Sequence, residues 1–184
     1  GNRIAPGLDL RIAHCPGHQA AAAVTERSVR KLPLRRLDRP GELPALGDAD
    51  HPVIAGDPDL GQGVDDGADT ERIEAELVPM STWAAPGSTA VVAVKQTIKP
   101  GWHTYWRNPG DSGGATTLAW TLPQGWSAGE TVWPAPGRMP EGGGTLMTYG
   151  WEGELWLPVR LMVPAGARPG QSVEVAARVT ILVC

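Results

Sequence analysis

Few side chains in this 184-residue chain are suited to covalent or metal chemistry: two cysteines, Cys15 and Cys184, and four histidines. Cys184 follows the apolar run Ile181-Leu182-Val183, and from its residues alone it reads as a buried strand cysteine acting as a small hydrophobe. Its other chemistry is exchange: a thiolate attacks a disulfide sulfur, and a second thiol must then resolve the mixed disulfide. Cys15 lies in His14-Cys15-Pro16-Gly17-His18, three metal-binding side chains without a fourth ligand or a matching pair further on, so no metal site is expected. A Cys15–Cys184 disulfide needs a geometry that sequence does not supply, and that alternative stays open. His103 sits beside Trp102 with no second histidine in its half of the chain, and reads as a hydrogen-bonded structural residue rather than a ligand or base.

The elements that must position these groups are unevenly distributed. All eight Trp lie between Trp83 and Trp156, the two Tyr are Tyr105 and Tyr149, and there is no Phe. Residues 1–82 therefore lack the aromatic side chains that usually dominate a core. Residues 1–70 carry eight Lys/Arg, concentrated in 27–36, and eleven Asp/Glu, mostly from Asp48 to Asp69. Segregated charge of this kind is solvated more often than packed. The reading is a poorly structured tail over 1–70 and a compact domain over 71–184. A further reading of 1–70 is that it is not native coding sequence. The basic run has no interleaved aromatics and Pro33 interrupts it, which argues against nucleic acid as a partner. No apolar run approaches the ~20 residues that span a bilayer. The chain opens on Gly1 and reads as a piece of a longer one, so a missing targeting signal carries no information.

From residue 71 onward the pattern is one of strands and turns. Residues 72–79 alternate apolar and polar, 89–98 are rich in Val, Thr and Ile, and 116–122, 127–133, 154–163 and 172–183 continue the series. Pro158 places its strand at an edge or a bulge. The run Asn108-Pro109-Gly110-Asp111 is a turn signal, as is the Pro-rich stretch 134–140. Six to eight short strands without an amphipathic helix predict an all-β, immunoglobulin-like β-sandwich, with a closed barrel as the alternative. Trp102, Trp120, Trp133 and Trp156 are expected to pack in or against the core.

Two segments are more specific than this pattern: GWHTYWRNPGDSG (101–113) and TLMTYGWEGELWLPVRL (145–161), joined by TLPQGWSAGETVWPAP (121–136) and closed by VTILVC (179–184). Their order and spacing resemble the amino-terminal periplasmic domain of DsbD-type thiol:disulfide interchange proteins, in the ScsB-like branch, over residues 71–184. The resemblance implies that Cys184 is the first redox thiol of a pair whose second cysteine follows a few residues later, outside this chain. Cys15 matches nothing in the family pattern. In relatives an aromatic loop covers the cysteines, which makes Tyr149 and Trp151 the candidate shields. Arg107 is expected to pair with Asp111 or Glu152, with contact to a partner protein as the alternative.

The resemblance implies a docking and electron-transfer domain that passes reducing equivalents to periplasmic client proteins by dithiol/disulfide exchange. It would be supplied by membrane-embedded and thioredoxin-like domains of the same full-length protein, at the periplasmic face of the bacterial inner membrane. No cofactor is implied, because the electrons travel as dithiols. The full-length protein is expected to be a protein-disulfide reductase, and this fragment alone an incomplete catalyst. The competing reading is a non-catalytic periplasmic β-sandwich module that binds a partner protein or is linked to copper tolerance.

Overall fold

A computed structural model describes residues 22–37 and 72–184, with side chains from residue 29 onward in the first stretch. Residues 1–21 and 38–71, and with them the His14–His18 cluster and the acidic stretch, lie outside the described residues. The described chain is built from ten strands and one short 3-10 turn: β1 (Ala22–Pro33), β2 (Ile73–Pro79), β3 (Thr89–Ile98), β4 (Thr104–Gly110), β5 (Thr117–Thr121), β6 (Ser127–Thr131), β7 (Gly137–Glu141), the turn Gly142–Gly144, β8 (Leu146–Trp151), β9 (Glu154–Met162) and β10 (Ser172–Val183). None of the described helical segments is long and apolar enough to cross a membrane.

The strands form two antiparallel sheets, as the alternating pattern predicts for a sandwich. One sheet runs β1-β10-β4-β8-β7, with β5 also paired to β10, and the other runs β2-β3-β9-β6. β9 shows why they stack. Leu155, Leu157, Val159 and Leu161 are buried, while the residues between them are at least partly exposed. This period of two puts one face of the strand on the core. Ile73, Leu77, Val92 and Val94 from the same sheet meet Val175, Val179, Ile181 and Val183 of β10 to form the main core. Trp102, Trp120 and Trp133 pack against it as expected. Trp156 does not: it lies on the outer face, with Lys95 Nζ 5.3 Å from its ring centroid and its indole N–H donating to Glu154.

Several strands depart from the sequence reading. Gly137–Glu141, read as turn, is an edge strand, where a proline costs no ladder hydrogen bond to a further neighbour. Asn108-Pro109-Gly110 lies within β4, whose register to β8 shifts between Tyr105 and Gly110, so the turn residues make an irregularity in a strand rather than a reversal. Pro158 sits on an interior strand beside such an irregularity: β6 shifts register against β9 between Ala128 and Thr131, and Val132 N–H donates to the Pro158 carbonyl.

β1 is the largest departure. It lies N-terminal to the boundary at residue 71 and pairs along the whole of β10, from Ala22 opposite Val183 to Pro33 opposite Ser172. Leu32 and the following Leu34 are buried in a small cluster with Ala84, Ala90 and Val163. The sheet thus recruits a strand from the segment read as tail. Pairing along a long edge supplies backbone hydrogen bonds that do not depend on aromatic content, which was the basis of that reading.

Candidate functional site

The two faces of β10 lead to different places. Val179, Ile181 and Val183 enter the main core, whereas Leu182 and Cys184 point the other way, where they form a separate cluster with Tyr105. Cys184 is 8% exposed and Tyr105 1%. The backbones of Cys184 and His103 form a reciprocal pair: His103 N–H donates to the Cys184 carbonyl at 2.7 Å and Cys184 N–H to the His103 carbonyl at 3.0 Å. Directly paired residues of antiparallel strands present their side chains on one face, with Cα atoms about 5.5 Å apart. His103 and Tyr105, two residues apart, share that face, and their rings meet edge to face with centroids 5.0 Å apart.

Glycines make room for Tyr105 at this end of β10. A Cβ on Gly113, which has φ +94°, would stand 2.3 Å from the Tyr105 ring, and one on Gly150 would stand 1.8 Å from the Thr104 carbonyl oxygen. Side chains at either position would push the ring or the β4–β8 pairing apart.

Glu141, at the end of β7, is the polar hub of the same face. Its Oε1 lies 3.0 Å from His103 Nε2, its Oε2 accepts from Ser112 Oγ at 3.1 Å, and the Thr148 hydroxyl lies 2.9 Å from Oε1 and 3.0 Å from the Met139 carbonyl. The His103 and Glu141 side chains are 17% and 11% exposed. A carboxylate so enclosed is acceptable because its lone pairs are occupied. The Tyr105 hydroxyl is buried, with Ser112 and Glu141 as its polar neighbours. Burial, and then the nearby charge of Glu141, push the Tyr105 phenol well above its usual range, so the ring stays neutral. Beside this cluster, and sharing His103 and Glu141 with it, an open cleft of about 860 Å³ is also lined by Arg138, Trp151 and Glu152 among others.

Cys184 is disulfide-bonded in the structure. The chain's other cysteine, Cys15, lies outside the described residues. Of the other residues singled out from sequence, Trp151 stacks on Trp133 at 5.9 Å and packs against the main core, on the opposite face of the sheet from Cys184. Tyr149, two residues away in β8, shares the Trp151 face by strand alternation. Arg107 is exposed, with its guanidinium 5.4 Å from the Trp106 ring centroid. Among the described residues it forms no ion pair with Asp111 or Glu152; Asp111 instead accepts from Met147 N–H at 2.8 Å.

The ring in contact with Cys184 is therefore Tyr105. Sequence reasoning passed over both Tyr105 and Glu141. Alternation from His103 to Tyr105 was available as a signal, but Glu141 arrives from a strand read as a turn. No group of three or more His, Cys, Asp or Glu suited to a metal ion occurs among the described residues.

Residues 74–184 match the family described as "Thiol:disulfide interchange protein DsbD, N-terminal". Cys184 is the last residue of the matched span. Among solved structures, the N-terminal periplasmic domain of ScsB from Proteus mirabilis is similar, at 24% identity and a TM-score of 0.42, over 61% of this chain and 39% of that one. The chain thus spans about two fifths of that structure's length. No curated protein matches this chain.

Proposed function

This chain belongs to the family of N-terminal domains of DsbD-type thiol:disulfide interchange proteins, and on that premise we propose that it docks periplasmic client proteins and exchanges disulfides with them through Cys184. In the full-length protein it receives reducing equivalents from membrane-embedded and thioredoxin-like domains and passes them to oxidised clients, at the periplasmic face of the inner membrane. The observation that carries the reading is the position of Cys184. It follows β10 on the face turned away from the main core, in a small buried cluster with Tyr105 and Leu182. A cysteine serving only as core filling would belong with Ile181 and Val183.

Burial under Tyr105 and Leu182 fits a relay that must not react indiscriminately: the sulfur is withheld until a partner displaces its cover. Attack by the thiolate on a client disulfide gives a mixed disulfide, and a neighbouring thiol releases the client in reduced form.

The reading is tested by mixing the reduced 184-residue chain with an oxidised thioredoxin-like protein and mapping the mixed disulfide by mass spectrometry. A cross-link at Cys184 that disappears in Cys184→Ser supports it. A cross-link only at Cys15, or none, overturns it and leaves a non-catalytic binding module as the better account.

A further inference from the structure

We propose that His103 is the proton-transfer group for Cys184 and that Glu141 is the residue that positions it, so that the three form a Cys-His-Glu relay on the outer face of β10. The inference rests on the exchange role of Cys184 proposed above and adds the chemistry by which its thiol is activated.

The geometry points to this from three sides. First, the backbones of His103 and Cys184, just before β4 and just after β10, form a reciprocal hydrogen-bonded pair, which puts the two side chains on one face at opposed positions. Second, Glu141 fixes the tautomer. A carboxylate only accepts, so the 3.0 Å contact assigns a proton to His103 Nε2 and leaves the Nδ1 lone pair as the ring's accepting atom. Ser112 and Thr148 in turn hold the carboxylate in place. A nucleophile, a base beside it and a third group orienting that base is the arrangement by which enzymes activate weak nucleophiles. Third, Tyr105, 1% exposed, belongs to the Cys184 cluster and meets the His103 ring edge to face, so the three residues share one enclosed patch.

The step balances within the exchange itself. With Cys184 reduced, its Sγ–H proton passes to His103 Nδ1, and the imidazolium is held by Glu141. The thiolate forms a bond to one sulfur of a protein disulfide, that S–S bond breaks, and its electron pair leaves on the second sulfur. The imidazolium then returns the proton to the departing thiolate. One disulfide is broken and one is made, and the partner disulfide is the oxidant. The titratable groups facing His103 are Tyr105 on its own strand, Cys184 from β10 and Glu141 from β7, with Arg138 and Glu152 on the wall of the adjoining cleft.

The test follows iodoacetamide alkylation of the fully reduced 184-residue chain against pH, with the Cys184 and Cys15 peptides read separately by mass spectrometry. The expected Cys184 profile has two inflections, one from the sulfur and one from its coupled base. In His103→Gln it collapses to a single inflection at higher pH, with the rate at pH 7 about tenfold lower, the thiolate fraction lost for one unit of thiol titration. Glu141→Gln, which keeps shape but removes the orienting charge, gives an intermediate loss of about threefold by the same reasoning. Cys15 in the same molecules is unchanged. A purely structural His103 would alter folding but not the shape of the profile, so thermal unfolding is recorded alongside. Superimposable profiles in folded variants overturn the inference. If neither variant folds, a single inflection in the wild-type profile overturns it. Because alkylation needs no client, these results are independent of the mixed-disulfide experiment: a cross-link at Cys184 with an unaltered profile sinks the relay alone, whereas a missing cross-link sinks the exchange role.

Discussion

The two faces of β10 differ in what they ask of their neighbours. On the inner face Val179, Ile181 and Val183 meet aliphatic side chains from the opposite sheet, and any well-packed hydrophobe serves there. On the outer face Leu182 and Cys184 meet one tyrosine, two glycine-dependent close approaches and a histidine held by a glutamate. The inner face is continuous with the main core and carries stability. The outer cluster is small, lies close to a cleft, and adjoins the titratable His103 and Glu141. Adjacent residues of one strand, about 3.4 Å apart along it, thus serve different ends because their side chains alternate.

The largest test of that contrast is Ile181→Ala. Removing a fully buried side chain from the main core is expected to cost about 3 kcal/mol in urea or thermal unfolding, with no preferential exposure of Cys184. Leu182→Ala, one residue on, is expected to cost only about 2 kcal/mol, because the cluster is small and its surroundings can relax. It should also accelerate Cys184 alkylation about tenfold, since about 1.4 kcal/mol off a local opening step is a factor of ten. Equal costs at the two positions, or equal effects on alkylation, would break the comparison.

Tyr105 gives a pH signature to the outer face alone. Its folded-state pKa is raised above the unfolded value, so the neutral phenol's contribution is complete below the ordinary tyrosine value of about 10 and is lost as pH rises beyond it. Stability should fall above that point by up to about 1.4 kcal/mol per pH unit, and Tyr105→Phe should flatten this alkaline limb when unfolding is measured from pH 8 to 11. The smallest effect is expected on the exposed face of the second sheet. Glu154 is held below its usual range by the Trp156 indole N–H and then by Lys95, so its contribution is present above the unfolded carboxylate range and lost as pH falls through the folded value. The side chain is 54% exposed and solvent screens the pair, so Glu154→Gln should change stability by no more than a few tenths of a kcal/mol at neutral pH.

Much of the sandwich was legible in the chain. Strands β2, β3, β5, β6, β9 and β10 have the period-two or β-branched patterns that pleated, half-buried surfaces select, and each was placed within a residue or two. Those that escaped have compositions that argue against strands. β4 ends in Asn108-Pro109-Gly110, β7 contains Gly137 and Pro140, β8 contains Gly150, and β1 lies in a charged stretch without aromatics. Local propensity disfavours all four, and pairing with neighbours overrides it.

The candidate site divides along the same line. The family motifs singled out Cys184 in the sequence, because an apolar strand ending in cysteine, after a fixed order of Trp- and Gly-rich segments, is a local and ordered signal. Its surroundings are neither. The resemblance makes Tyr149 and Trp151 the candidate shields through the aromatic loop of relatives, and alternation along β8 gives their face to the interior side of the sheet. Tyr105 clusters with Cys184 instead, His103 pairs with it through the backbone, and Glu141 reaches His103 from an edge strand 43 residues before Cys184 in the chain. What the sequence determined by itself is the alternation within each strand and the place of Cys184 after an apolar strand. Which strands lie side by side, and so which side chains surround that cysteine, was decided by the tertiary structure. Sheet order and register are properties of pairs of strands distant in the chain, and no single segment encodes them.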